Sequence, residues 1–545
     1  MHLNRLWGFG SLYAKTLRDS RWAILGVAGF LGLTVFGAGG ATVTFASAEA
    51  RAQMLDFARN VPAAMQGMYG KPLQVDLLGG FIAWQYSGFF GLIAGLWSIL
   101  ALSSTLSGEL RRGSLDLVLA TPLGRRRVVL EKVAAHITAL TIAMAAFAAC
   151  LCLTGILWAR LPDDDIPPAA AAAFALQIGL MALTAGAAAF AISPFLGSRA
   201  AAGLGGAVML GGYVAHGWAS AIPALGPFAW LSPFHWVRDN VPLAGVYEWP
   251  ALLTLVVATV VLLAVGVEGF VRRDIVSASG LRLPGPPRMA LGLRGPLGRS
   301  FAEHLPVGLA AGIGLAVFGL LMGAASRSFA QSMSEASGMA HMFSEVFPGN
   351  DITTPAGAMQ APYTAFAFIV AGLTTAVFVG DWASDETSGR LGLVLSTPLS
   401  RARATVWSAV AIGFAIALAA GLAAAGVALG SATGGTDALT AGAGTMALGL
   451  YAAALGGVGV AVGGLWRASA AGTAVALLAI GTFSLDMFGP ILRLPDPICQ
   501  LALSSHLDGS MRGAWDPVGV GACLILAVAG VALGAWGMRR RDLSR

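Results

Sequence analysis

Residues 133–159 read VAAHITALTIAMAAFAACLCLTGILWA, 27 consecutive positions without a charged side chain. A helix rises about 1.5 Å per residue, so this stretch is long enough to cross the roughly 30 Å hydrocarbon layer of a bilayer. Lipid gives the backbone no hydrogen-bond partner, so a spanning segment is a helix or a strand of a closed barrel, and this one far exceeds a barrel strand of about ten residues. Outward from it, the chain holds twelve charge-free windows of 18 or more residues: 22–48, 77–108, 133–159, 166–198, 200–237, 249–267, 304–326, 352–380, 404–436, 438–466, 468–485 and 517–538. The reading is an all-α polytopic membrane protein with twelve transmembrane helices. Composition agrees: of 545 residues 57% are hydrophobic and 11% charged, with a mean hydropathy of +0.75, whereas soluble domains carry about 25% charge. The first window ends near Ala46-Ser47-Ala48, which mimics a signal-peptide cleavage site, but its apolar run is too long for one and reads as a retained span. Window 200–237 holds more than a span needs, so part of it is expected as a re-entrant or interfacial segment.

Orientation follows from the basic residues. With both termini inside, the inner segments hold 25 of the 33 Lys and Arg and, with their span ends, 11 of the 27 Asp and Glu. The net +6 then divides into +14 inside and −8 outside, as the positive-inside rule requires. The basic excess is thus explained by topology and anionic lipid rather than by a nucleic-acid partner. Cys150, Cys152, Cys499 and Cys523 suggest no disulfide or metal framework, and the seven histidines show no ligand spacing.

The chain repeats itself. At an offset of 276, Gly113-Ser-Leu-Asp-Leu-Val-Leu-Ala-Thr-Pro-Leu-Gly-Arg-Arg-Arg127 aligns with Gly389-Arg-Leu-Gly-Leu-Val-Leu-Ser-Thr-Pro-Leu-Ser-Arg-Ala-Arg403, ten of fifteen positions being identical. At an offset of 268, Gly266, Gly269, Arg272, Arg273 and Asp274 match Gly534, Gly537, Arg540, Arg541 and Asp542. The expectation is a parallel 6+6 duplication: residues 1–275 and 306–545 as six-span halves, joined by the Pro/Gly/Arg-rich cytoplasmic linker 276–305. Thr121-Pro122 and Thr397-Pro398 place a hydroxyl cap before a proline, which predicts a helix start at each proline and a cytoplasmic projection of spans three and nine. Just before them lie two apolar stretches, Leu115-Asp-Leu-Val-Leu119 and Leu391-Gly-Leu-Val-Leu395. An apolar knob on a cytoplasmic loop reads as a docking element for a partner, or else as leucines tucked against neighbouring spans. Leu3, Leu6, Trp7, Tyr13, Ala14 and Leu17 share one helical face, as in a helix lying in the membrane surface. The counterpart before span seven is interrupted by Gly295-Pro296.

These residues are similar to a known family. The hairpin Glu109-x-x-x-Gly113-x-Leu-Asp-x-x-Leu-Ala-Thr-Pro122-Leu-x-Arg125 resembles the coupling-helix region of ABC type-two exporter permeases. The fused double permease, Leu231-Ser-Pro-Phe-His235 before span six and the terminal Arg-Arg-Asp further resemble the polyketide-antibiotic exporters of the tetronasin type. Leu503-Ser-Ser-His506 stands at the corresponding place in the second half. The resemblance implies a bacterial plasma-membrane subunit, paired with two copies of a separate ATP-binding subunit that carries the ATP and Mg, and moving amphipathic small molecules. It assigns ATPase coupling to Glu109, Gly113, Leu115, Leu117, Leu119, Pro122 and Arg125. In the second half it assigns the same role to Gly389, Leu391, Leu393, Leu395, Pro398 and Arg401, with Asp385 aligned to Glu109 and Glu386 beside it. It also implies that spans two, five, eight and eleven line the route, with Trp84, Phe89, Phe90, Trp97, Tyr213, His216, Phe366, Phe368, Phe483 and Met487 as candidate contacts. An aromatic, uncharged wall suits amphipathic substrates.

The residues independently lack a motor. A Walker A loop needs Gly-Lys-Ser/Thr, and the only lysines are Lys15, Lys71 and Lys132, none in that setting. No Gly-x-Ser-x-Gly elbow or His-Glu-x-x-His helix is present, so no catalytic site or bound cofactor is expected. The alternative is an ion-coupled secondary transporter of the 6+6 type, which needs ionisable groups at mid-membrane depth. The windows contain no Lys, Arg, Asp or Glu, and His136 and His216 read as packed histidines rather than relays. A membrane enzyme using Asp163-Asp164-Asp165 is a further alternative, against which that triplet reads as a solvated turn.

Overall fold

The computed structural model describes residues 11–42, 47–59, 61, 66, 69–105, 124–160, 164–219, 223–272, 295–335, 351–489 and 494–542. The chain divides into two compact units, Met1–Pro284 and Gly285–Arg545. The principal helices of the first are α1 (Leu12–Asp19), α2 (Arg21–Thr42), α3 (Ala48–Arg59), α4 (Leu78–Ser104), α5 (Arg125–Trp158), α6 (Pro168–Leu196), α7 (Ser198–Trp218) and α8 (Trp249–Arg272). Those of the second are α9 (Gly295–Glu335), α10 (Pro355–Thr387), α11 (Arg390–Leu395), α12 (Arg401–Gly434), α13 (Ala438–Thr445), α14 (Ala447–Leu465), α15 (Ala468–Phe488) and α16 (Pro517–Arg540).

Eleven of these segments are long and apolar enough to span a membrane, and the protein is an all-helical polytopic membrane protein. The count differs from the twelve expected because α7, the helical part of window 200–237, falls short in hydropathy. Gly203, Gly205, Gly206, Gly211, Gly212, Tyr213, His216 and Gly217 dilute its apolar character. After α7 the chain runs through the short turns Pro223–Leu225, Gly226–Ala229 and Pro233–Trp236.

The core of the first unit is aromatic. Phe90 of α4 is fully buried, edge-on to Phe147 of α5 at 5.1 Å and to Phe174 of α6 at 6.5 Å. Here α2 packs on α5, α4 on α6 and α7, and α6 on α8. In the second unit α9 packs on α12, α10 on α14 and α15, and α14 on α16. The two sets of pairs run in the same chain order but meet differently. A β-carbon on Gly426 of α12 would lie 2.1 Å from the Ala316 carbonyl oxygen of α9, and one on Gly464 of α14 would lie 2.2 Å from the Gly534 oxygen of α16. These helices touch backbone to backbone, which only glycine permits and which small-residue packing exploits in membranes.

Two local expectations are corrected. Helix α12 begins at Arg401, three residues past Pro398, because the Ser400 hydroxyl caps it by accepting from the Arg403 N–H at 3.4 Å. Thr397 instead donates to the Val394 carbonyl, at 2.6 Å. Helix α5 likewise begins at Arg125, behind Gly124. Gly295-Pro296 does not break a helix but starts one: Gly295 has φ +88° and Pro296 sits in the first turn of α9, where its missing N–H costs nothing.

Candidate functional site

The second unit presents one of the two expected docking hairpins. Helix α10 ends at Thr387, Gly389 turns the chain at φ 74°, and the apolar stretch 391–395 forms α11. That left-handed turn is open to glycine at no steric cost. Of the three leucines only Leu393 stands clear, 74% exposed. Leu391, Val394 and Leu399 line a cleft with Trp382, Met538 and His304, and Leu395 is half-buried. The tucked reading therefore describes the neighbours of Leu393, while Leu393 itself is exposed. Pro398 is exposed in the returning arm.

The acidic pair before the hairpin divides its work. Asp385 meets Arg299 of α9 and Arg390 of α11, each at 3.0 Å. Glu386 is buried and accepts two hydrogen bonds from Arg541, from Nη1 at 2.9 Å and from Nη2. Arg401, the first residue of α12, donates to the Arg541 carbonyl at 2.9 Å. Sequence spacing gave no warning of this pairing, since 155 residues separate Glu386 and Arg541. The available signal was the repeated terminal Arg-Arg-Asp. In the first unit Arg125 opens α5, while Glu109, Gly113, Leu115, Leu117, Leu119 and Pro122 lie outside the described residues.

The expected aromatic wall resolves into distinct places. Trp84, Tyr213 and His216 line one cavity of about 80 Å³ with Tyr69, Phe234 and Gln177. The Trp84 indole donates to the Gly70 carbonyl at 3.0 Å, and Tyr213 packs edge-on to Phe234 at 5.2 Å. Beside His216 the His235 ring stands at 5.7 Å; partial burial and the Arg238 guanidinium hold the His235 imidazole below its ordinary pKa. The motif residue Ser232 caps the turn that aims Phe234 at the cavity, accepting from the Phe234 N–H at 3.3 Å. Phe89 and Phe90 sit instead in the aromatic core, and Trp97 stacks edge-on to His136 at 5.4 Å. In the second unit Phe366 lies on Phe318, and Phe368 on Tyr451, whose hydroxyl is 2.7 Å from that of Thr482, beside buried Phe483. Met487 is half-buried near the end of α15.

Residues 13–275 match the family described as ABC-2 family transporter protein. Residues 293–539 match the family described as multidrug efflux system permease Rv1217c, C-terminal domain. Among curated proteins the chain is similar to the multidrug efflux system permease protein Rv1217c of Mycobacterium tuberculosis, 27% identical over 504 residues, covering 88% of this chain and 85% of that one. The chain is an ABC-2 transporter permease.

In this permease the remaining candidate groups are structural. His136 is buried with its Nε2 2.9 Å from the Ser98 hydroxyl. Asp164 is no solvated turn: it is buried, paired with Arg51 of α3 at 2.6 Å, and accepts from the Leu78 N–H at 3.3 Å where α4 begins. The permease also fastens its amphipathic α1 to α5, the Tyr13 hydroxyl donating to Thr138 at 2.9 Å. Among the described residues no cluster of three or more His, Cys, Asp or Glu is arranged to hold a metal.

Proposed function

We propose that this permease is the membrane subunit of an ATP-driven multidrug exporter that moves amphipathic, drug-like or antibiotic-type compounds out of the cell. Two copies of a separate ATP-binding subunit dock on hairpins 109–125 and 385–401 and supply ATP and Mg; this chain contributes no ATPase site. Both termini lie in the cytoplasm of a bacterial cell. The two units descend from a parallel duplication, with α7 and α15, each 21 residues long, as the fifth spans. The shared order of helix pairs supports that assignment.

The observation that carries the reading is α11: a six-residue apolar helix that follows the Gly389 turn, packs Leu391 and Val394 into a cleft, and leaves its Leu393 side chain 74% exposed. A leucine presented to water at the tip of an ordered hairpin is an anchor for a partner's groove. Movement of the ATP-binding subunits then reaches the spans through the hairpins, and the aromatic cavity of Trp84, Tyr213 and His216 offers rings to the substrate. The energy source is testable with a fluorescent amphipathic dye as cargo. Efflux persists when the proton gradient is collapsed at constant ATP and stops when ATP is depleted. Loss of efflux on collapse of the gradient alone assigns the transport to ion coupling instead.

A further inference from the structure

We infer that Arg541 is a positioning residue that latches both legs of the second hairpin to the last span, so that hairpin and α16 move as one body. The inference rests on the proposed role of the hairpin and deepens it by naming the element to which docking is transmitted.

The geometry is specific. Arg541 caps the end of α16, its own N–H donating to the Gly537 carbonyl at 2.9 Å. Its guanidinium forks onto both oxygens of Glu386, in the last turn of α10, and its carbonyl accepts from Arg401, the first residue of α12. One residue therefore holds the leg that enters the hairpin by its side chain and the leg that leaves it by its backbone. The Arg541 and Glu386 side chains are 16% and 4% exposed, so water screens the pair little and removing one partner takes two charge-assisted hydrogen bonds from a buried charge. The planar fork suits arginine and not lysine, which offers a single ammonium point charge.

The neighbouring arginines behave differently. Arg540 lies over the Trp536 ring at 4.2 Å and Arg539 is exposed, as charges that only anchor a span at the membrane surface do. Arg541 alone of the three turns inward. Beyond the latch, α16 is seated on α14 through Gly457, Gly464, Gly530, Gly534 and Gly537, with prospective β-carbons 2.2 to 2.6 Å from the facing helix. Such a seam cannot slide without clashing, so displacement of α16 carries α14 with it. The first unit has no such latch among its described residues: Arg272 pairs at 3.3 Å with Glu268 of its own helix, and Glu268 with Arg126 at 3.5 Å, all at the surface.

The test uses the full-length permease in lipid nanodiscs, its four native cysteines replaced by alanine, with spin labels at Ser396 on the hairpin and Leu533 on α16, both exposed. Pulsed electron spin resonance without any partner is expected to give one narrow distance distribution for the parent. Arg541→Ala and Arg541→Lys should each broaden it at least twofold, and the exchanged pair Glu386→Arg with Arg541→Glu should restore it. An unchanged width in Arg541→Ala, or no restoration in the exchanged pair, overturns the latch. Because no ATP-binding subunit is present, failure of the latch is read separately from failure of hairpin docking, which is measured by retention of that subunit on Leu393→Asp.

Discussion

The two units of this permease pair their helices in the same order, yet two corresponding seams differ, made mainly through side chains in the first unit and mainly through backbone in the second. Where α8 meets α6, the neighbours of Gly266 and Gly269 are the Phe190 ring and the Pro194 side chain; where α2 meets α5, Gly32 and Gly39 face Cys150 and the Trp158 ring. In the corresponding seams of the second unit, Gly426, Gly430, Gly464 and Gly534 face carbonyl oxygens and Cα atoms. Among the described residues, which do not include Arg273, the position aligned with Arg541, the first unit ties α8 to α5 by the exposed pair Arg126–Glu268, and the second ties α16 to α10 by the buried fork of Arg541 on Glu386. Side chains can repack around a moving helix, whereas backbone seams and buried ion pairs have few alternative arrangements. The proposed latch assigns transmission of displacement to the second unit, and the first holds the aromatic cavity.

This contrast can be broken by substitution. The largest effect is expected for Arg541→Ala, which leaves the buried Glu386 carboxylate without its fork and should cost about 3–5 kcal/mol, read as a lowered unfolding temperature in detergent. A loss comparable to that of a surface residue would show that the pair is not a structural tie. Next comes Gly537→Ala, whose β-carbon would stand 2.6 Å from the Gly464 carbonyl oxygen; forcing the seam apart should cost about 1–3 kcal/mol. Its counterpart Gly269→Ala meets no backbone atom, only the Pro194 side chain at 3.1 Å and the Phe195 ring at 3.5 Å, and gains the helix propensity of alanine over glycine, about 1 kcal/mol, so it should be close to neutral. Equal destabilisation by the two changes would erase the distinction between the units. The smallest effect belongs to Glu268→Gln, where exposed partners limit the loss to about 1 kcal/mol or less.

Much of this fold was legible in the sequence because lipid forces a simple rule on the backbone: each charge-free window is a helix. The rule is weaker where glycine and polar aromatics thin the apolar character, which is why α7 does not count among the eleven spans of the described residues; the expected surplus of window 200–237 over one span is the run of short turns after Trp218. A proline after threonine announced a helix start near Pro398, but a serine two residues later offered the better cap. The candidate site was legible in part. Leu393 was found as an exposed apolar knob, whereas Leu391 and Leu395 carry the same signal and differ only by the face on which α11 places them. Trp84, Tyr213 and His216 converge on a cavity while Phe89 and Phe90 enter the core, because a helix apolar on every side carries no periodicity that says which face is which. The fork of Arg541 on Glu386 joins distant positions, and no local pattern encodes it.

The central claim is that the hairpins receive the ATP-binding subunit through their leucines, of which Leu393 is exposed. It is tested most directly by retention of that subunit on affinity-purified permease carrying Leu117→Asp and Leu393→Asp together. An anchor side chain buried in a partner's groove contributes about 2 kcal/mol, roughly a 30-fold change in affinity. The double variant should therefore insert normally in the membrane and lose the ATP-binding subunit at concentrations where the parent retains it. Retention equal to the parent at every concentration would contradict the claim and leave α11 as an ordinary surface helix.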